Sequence, residues 1–212
     1  LMRHLGVRYK TAWLMKHKLL QVMTEREASR VLEGRVEMDD AYLGGERPGK
    51  RGRGSENKVS FVVAVQTTED GKPVFVRFNR IPFTREAVEA WAQQALASSA
   101  RVLSDGLGCF RGVTASGASH STIVTGGGTG REAAQHPEFR SVNTVLGNLK
   151  TAINGTYHAF NFRKYADRYL SEVQYRFNRR FDLGTILKRL VRAAATTSPW
   201  PEPAIRMAEV GG

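Results

Sequence analysis

Hydrophobic and polar residues alternate over three consecutive stretches in the first half of the chain. They cover residues 35–45, 59–67 and 73–80, and such alternation is typical of half-buried β-strands. The first stretch ends in two glycines, which indicate a turn. The second and third are separated by Glu-Asp-Gly-Lys at 69–72, a strong hairpin signal. The pattern therefore predicts three successive antiparallel strands.

Helical periodicity dominates the rest of the chain and is interrupted by two short apolar strands. The predicted helices are 84–97, 141–153, 162–177 and 183–195, and the predicted strands are 101–104 and 121–125. Three strands, a helix, a strand, a helical turn, a strand and further helices form an α/β pattern. This order fits a mixed sheet flanked by helices, which is the plan of the RNase H-like fold, although other α/β folds are compatible with it.

The first 30 residues are predicted to form two helices around a break at Gly6. Two helices joined by a short turn are typical of a helix-turn-helix, in which Arg8 and Lys10 at the start of the second helix would meet DNA. The alternative is an amphipathic pair that only packs against the core. Because the chain enters helix-like sequence at Leu1, we expect that an upstream part precedes it.

The composition of the chain indicates nucleic acid as its partner. The 212 residues include 32 Lys and Arg against 20 Asp and Glu, a formal net charge of +12, and a polyanion is the natural partner of so basic a chain. Basicity that serves only solubility is the alternative. The single cysteine, Cys109, excludes an internal disulfide and a cysteine-based zinc site. With no long apolar run or signal peptide, an intracellular protein without membrane contact is expected.

Two basic segments are candidate DNA-binding surfaces. The Gly-rich stretch 46–58 carries Arg51 and Arg53 and could fold over a ligand, or it could be a solvated hairpin loop. The predicted helix 162–180 places aromatic residues on one stripe and basic residues elsewhere, where they would face outward and follow a phosphate backbone. The basic residues proposed for this role are Arg163, Arg176, Arg179 and Arg180.

The strand pattern indicates two aspartates as candidate metal ligands. Asp39 lies within the first strand and Asp105 directly after the fourth, and the RNase H-like plan places these strands side by side. Carboxylate oxygens are the ligands that Mg²⁺ prefers. A strand-end aspartate can also be a simple turn former. Asp40 is expected to point to the opposite face of the strand, which argues against it as a co-ligand.

Five motifs occur in series and together resemble the DDE-type transposases of bacterial insertion sequences. The resemblance is to the ISXO2-like transposase domain, in the branch where the third acidic position can be Asn. The motifs are Val-Glu-Met-Asp-Asp-Ala-Tyr-Leu-Gly-Gly at 36–45, Ser-Asp-Gly at 104–106, Val-Asn-Thr at 142–144 with Lys150, Gly-Thr-Tyr-His at 155–158, and Tyr-Arg-Phe-Asn-Arg-Arg at 175–180.

The resemblance implies a catalytic set of Asp39, Asp105, Asn143 and Lys150, with the first three holding Mg²⁺ or, as a substitute, Mn²⁺. Asn143 and Lys150 are separated by two helical turns, about 10.5 Å along one face. Gly147, midway along that face, would leave room for the substrate backbone.

Three further residues are candidates for auxiliary roles in the site, on weaker sequence signals. An amide oxygen can ligate a cation but brings no negative charge, so a substitute carboxylate is sought, and Glu172 is the first candidate. His158 and His120 could touch phosphate or position water, or they could be structural.

The resemblance further implies function and organisation. Residues 1–30 would be a truncated helix-turn-helix-like segment, 31–198 the RNase H-like catalytic domain and 199–212 a Pro-rich tail. The protein would cut and join double-stranded DNA at element ends and target, as a homo-oligomer in the bacterial cytoplasm at the nucleoid. The alternatives are an RNase H-like nuclease that cuts without joining and an inactive DNA-binding transposase remnant.

Overall fold

A computed structural model describes most of the chain, namely residues 1–44, 58–123, 136–157 and 160–207. Three of the predicted site residues, Arg51, Arg53 and His158, lie outside these ranges. All the other candidates can be placed.

A mixed sheet forms the centre of the described structure. Its five strands are β1 Arg35–Leu43, β2 Val59–Thr67, β3 Pro73–Asn79, β4 Arg101–Ser104 and β5 Ser119–Thr122. They lie in the order β3-β2-β1-β4-β5. Strand β2 is antiparallel to both β1 and β3, whereas β4 is parallel to both β1 and β5. The predicted α/β fold with an antiparallel hairpin series is confirmed, and β1 and β4 are neighbours as the RNase H-like plan requires.

Helices cover both faces of this sheet. They are α1 Met2–Leu5, α2 Tyr9–Ala28, α3 Arg85–Ala95, α4 Arg140–Ala152, α5 Phe162–Phe177, α6 Ile186–Thr196 and α7 Glu202–Met207. The predicted cap of α3 is present, because Thr84 accepts a hydrogen bond from the backbone N–H of Ala87 at 3.3 Å. A 3₁₀ segment, Gly108–Ser116, links β4 to β5, and a π-helical turn, Ile153–Tyr157, follows α4.

The two faces of the sheet have separate apolar cores. Val36 and Met38 of β1 pack with residues of α3 and of the 3₁₀ segment. Phe61 and Val63 of β2 pack with α4 and α5 on the other face. Because side chains alternate along a strand, Glu37 and Asp39 belong to the face that α4 and α5 cover.

The N-terminal helix α2 is fixed to the core through a buried carboxylate. Glu27 is 2% exposed, and its Oε2 accepts hydrogen bonds from Nδ2 of Asn178 at 2.7 Å and from Nε2 of Gln174 at 3.2 Å. Arg179 donates to its Oε1. The two helices predicted around Gly6 are present, but α2 packs lengthwise on α5. DNA contact by residues 1–30 stays a prediction.

The proline-rich end of the chain also packs against the fold. Ile205 of α7 is fully buried, and its carbonyl oxygen accepts a hydrogen bond from Arg168 of α5 at 2.9 Å. The segment expected as a tail therefore contains a docked helix. None of the described helices combines the length and the apolar composition that crossing a bilayer would need.

Candidate metal centre at the end of strand β4

Three carboxylates meet where β1 passes the end of β4. The parallel pairing of these strands ends at Met38 opposite Ser104, so Asp39 and Asp105 follow at neighbouring positions. One oxygen each of Asp39, Asp40 and Asp105 lies within 4.8 Å of the other two. All three side chains are half-buried. The structure thus brings together the two aspartates that the sequence singled out and adds a third.

The membership of Asp40 corrects a prediction from strand alternation. Alternation fixes the direction of each Cβ, whereas the carboxylate oxygens lie farther out and can turn once the neighbouring strand has ended. The Asp39 side chain turns toward its own backbone, since its Oδ1 accepts a hydrogen bond from the N–H of Asp40 at 2.8 Å. The expectation that Asp40 lies apart from the other two carboxylates is wrong, and its role as a metal ligand is a proposal.

The turn after β4 holds Asp105 in place. Its Oδ1 accepts a hydrogen bond from the backbone N–H of Leu107 at 3.1 Å, and Gly106 between them has a positive φ of 86°. A residue with a side chain rarely adopts that conformation. The Asp-Gly pair is therefore suited to project a carboxylate from the end of a strand.

The donor set fits a hard divalent cation. Three carboxylates at such separations repel one another when ionised, and a bound cation or a shared proton relieves the repulsion. Oxygen-only donors suit Mg²⁺ and Mn²⁺ better than softer metals. Mg²⁺ is commonly bound by only one or two carboxylates and completed by water and phosphate oxygens, so this cluster has enough protein ligands.

Glu37, which the sequence interpretation did not single out, fixes α4 to this face of the sheet. It is 1% exposed, and its two oxygens accept hydrogen bonds from Nη1 of Arg35 at 2.8 Å and from the N–H of Val142 at 2.9 Å. Burial raises its pKa despite these bonds. The signal that could have revealed it is its place two residues before Asp39, on the same face of β1.

Asn143 and Lys150 lie on one face of α4, as their spacing predicts. Asn143 is half-buried and Lys150 exposed, and both line a cavity of about 700 Å³ together with Gly147. A Cβ added at Gly147 would meet no atom within 4 Å, so the helix surface is open between the two side chains. Their catalytic roles stay predictions.

His120 lies near the end of β4 and does not belong to the carboxylate cluster. It is on β5, and its Nε2 is 2.9 Å from Oγ of Ser104, the residue before Asp105. Burial and, secondarily, the charge of Arg111 lower its pKa. His120 is thus placed to support the end of β4, and its predicted auxiliary role remains open to test.

Glu172, expected as a substitute ligand, is not part of the cluster found among the described residues. Its Oε1 accepts a hydrogen bond from Arg176 at 3.0 Å, while its buried Oε2 has no hydrogen-bond partner in the part of the chain that the structure describes. Burial, followed by the charge of Glu172, raises the pKa of Tyr157. The structure supplies Asp40 as the third acid in its place.

Two of the arginines predicted to face outward are used inside the fold. Arg179 is 14% exposed and pairs with Glu27, and Arg180 donates to the carbonyl oxygen of Val74 at 3.0 Å. Their guanidinium groups also lie over aromatic rings. The prediction that these two arginines face outward is wrong, because their N–H groups donate to acceptors inside the fold. The exposed candidates are Arg8, Lys10, Arg163 and Arg176, of which Lys10 pairs with Glu202 at 3.4 Å.

Comparison with known protein families gives one match. The family model of the ISXO2-like transposase domain matches residues 31–178, which contain the whole sheet and the helices α3, α4 and α5. The matched range includes the three clustered aspartates and Asn143. No curated protein and no solved structure matches the chain significantly.

Proposed function

The chain belongs to the ISXO2-like transposase domain family, and we propose that it is an insertion-sequence transposase that cuts and joins DNA by metal-dependent phosphodiester chemistry. The observation that carries this proposal is the approach of Asp39, Asp40 and Asp105 to within 4.8 Å of one another. On a chain with a net charge of +12, a concentrated negative site of this kind is suited to a cation that works against a phosphate backbone.

The three aspartates would hold Mg²⁺ or Mn²⁺ through carboxylate oxygens. When bound, such ions activate the attacking oxygen and stabilise the leaving one in phosphodiester cleavage. Asp40 adds the negative charge that the amide of Asn143 does not supply. The hydrogen bonds to Asp39 and Asp105 keep one oxygen of each engaged with the backbone, which orients the remaining oxygen.

Helix α4 would position the substrate. The amide oxygen of Asn143 can complete a metal coordination sphere but cannot act as a general base at neutral pH. Lys150 is exposed and lies two turns farther along, where an ammonium group can bind a phosphate. The open surface over Gly147 leaves room for a DNA backbone between them. Glu37 holds the start of this helix to β1.

The partner would be double-stranded DNA at the element ends and at the target. Exposed Arg8, Lys10, Arg163 and Arg176 would neutralise phosphates, so binding should weaken steeply as salt rises. Joining two element ends to one target requires more than one active site, and a homo-oligomer at the bacterial nucleoid is the expected assembly.

A cleavage and joining assay tests the proposal. The DNA is a supercoiled plasmid together with a labelled duplex copied from the sequence that flanks the coding region. In Mg²⁺ or Mn²⁺ the wild type should nick and join. Asp105→Asn should lower both activities on the order of 100-fold or more with unchanged DNA binding.

Asp70→Asn, which alters an exposed aspartate in the β2–β3 turn, is the matched control and should keep full activity. If Asp105→Asn cleaves DNA as fast as the wild type, the assignment of Asp105 to a metal centre is contradicted. Nicking without joined product would instead indicate a nuclease, since cleavage and transfer differ in the nucleophile and not in the metal site.

A further inference from the structure

An aromatic cavity lies away from the carboxylate cluster, between α1, α2, α5 and the π-helical turn. Its volume is about 840 Å³, within the range of small-molecule sites, roughly 300–1,000 Å³. None of the clustered aspartates lines it. Six aromatic rings do: Tyr9, Trp13, Tyr157, Phe160, Tyr165 and Tyr169.

A buried histidine with an unpartnered ring nitrogen lines this cavity. His17 is 2% exposed and lines the cavity, and its Nδ1 has no hydrogen-bond partner among the described residues. Burial, helped by the charge of Arg168, lowers its pKa to about 4, so the ring is neutral at physiological pH. An unsatisfied buried nitrogen is destabilising unless an ordered water or a ligand group bonds to it.

Positive charge accompanies the rings. Nζ of Lys16 donates to the hydroxyl of Tyr169 at 3.0 Å and lies 4.5 Å from the ring centre of Tyr157. Arg3 also lines the cavity. A ligand that combines a flat ring, polar groups on its edge and an attached anion would match all three features, and a nucleotide has this combination.

We propose that this cavity binds one unstacked nucleobase of a DNA strand. The inference rests on the proposed function, because DNA must already be bound for a base to reach the cavity. Aromatic side chains hold unpaired bases by stacking, with little dependence on sequence. The neutral imidazole of His17 would bond to a polar edge of the base, while Lys16 and Arg3 would bind the adjoining phosphates.

A binding cycle between protein variants and modified duplexes tests the proposal. Two fluorescent duplexes of identical sequence carry one extrahelical nucleotide, either intact or abasic, and a third is fully paired. Binding is measured by anisotropy in Ca²⁺ or without metal to prevent cleavage. The wild type should bind the intact bulge about tenfold more tightly than the abasic bulge, because one stacked base contributes roughly that much.

The cavity variant is Tyr9→Leu and the control is Phe181→Leu. Both rings are exposed, 68% and 80%, so neither substitution threatens the fold, and Phe181 does not line the cavity. Tyr9→Leu should reduce the preference for the intact bulge to about twofold or less, and Tyr157→Leu should do the same. Phe181→Leu should keep the full preference.

Three results would overturn the inference. If the wild type binds the paired duplex but does not distinguish the intact from the abasic bulge, the cavity holds no base, although the proposed function survives. The same conclusion follows if Tyr9→Leu and Tyr157→Leu both keep the full preference. If no duplex binds at all, the inference and the proposed function fail together.

Discussion

Two positions on one face of strand β1 carry carboxylates with different surroundings. Near the start of the strand, Glu37 is buried and accepts hydrogen bonds from Arg35 and from the first turn of α4. At the middle of the strand, beside the end of β4, Asp39 is half-buried and lies with Asp40 and Asp105 in a group of carboxylates. The two residues are only two positions apart, yet both oxygens of Glu37 accept from donors within the fold, whereas Asp39 lies beside two further acids.

This difference separates a structural carboxylate from a functional one. A buried acid whose oxygens both accept from donors within the chain stabilises the fold and is poorly accessible to a ligand. Clustered acids repel one another when ionised unless a cation or another partner offsets their charge. A cation-binding role therefore accounts for the group of carboxylates beside the end of β4.

The largest expected difference is between the free energies of unfolding of a Glu37 variant and an Asp39 variant. Glu37→Gln replaces one acceptor oxygen with an N–H₂ group, which must face a donor of either Arg35 or Val142, so we expect a loss of about 2 kcal/mol. Asp39→Asn keeps the oxygen that accepts from Asp40 and removes one of the repelling charges. Its free energy of unfolding should equal or exceed that of the wild type in metal-free buffer.

Urea unfolding of both variants measures this contrast. Glu138→Gln is the control for losing a partner of Arg35, because Glu138 is half exposed and its ion pair is worth less than about 1 kcal/mol. A larger loss of unfolding free energy for Asp39→Asn than for Glu37→Gln would reverse the assignment of Glu37 as the structural carboxylate and Asp39 as the functional one.

Glu27 is expected to make a smaller contribution to stability, and that contribution depends on pH. Burial acts to raise the pKa of this carboxyl, but hydrogen bonds from Arg179 and Asn178 prevail and lower it below 4.5. A group with a lowered pKa in the folded chain stabilises the fold above its unfolded value, and that contribution is lost as pH falls through the folded value.

Glu27→Gln should therefore have a lower free energy of unfolding than the wild type at pH 7, and the difference between the two should decrease as pH falls below 4.5. Urea unfolding at pH 7, 5 and 3 measures this difference. A difference that stayed constant down to pH 3 would show that the ionised form of Glu27 is not what stabilises the packing of α2.

Much of the fold was predictable because its patterns are unambiguous. The bounds of β2, β4 and α5 agree with the alternation and periodicity of residues 59–67, 101–104 and 162–177. The last strand begins two residues earlier than predicted, since Ser-His-Ser-Thr at 119–122 has no apolar alternation to mark it.

The candidate site was predictable only in part. Asp39 and Asp105 could be paired because strand order places the middle of β1 beside the end of β4. Asp40 was missed because alternation gives the direction in which a side chain leaves the strand, and not how far its carboxylate can turn beyond the end of the neighbouring strand. The inward arginines were missed because their acceptors are distant in sequence: Arg179 donates to Glu27 of α2, and Arg180 donates to the carbonyl oxygen of Val74 in β3. Charge patterns carry no information on such partners.

Direct titration with Mn²⁺, followed by electron paramagnetic resonance of the free ion, tests the central claim that the three aspartates form a metal centre. The wild type and Glu37→Gln should each bind Mn²⁺ saturably, whereas the double variant Asp39→Asn, Asp105→Asn should show at least about tenfold weaker binding. Equal affinity in the wild type and the double variant, or no binding by the folded wild type, would contradict the claim.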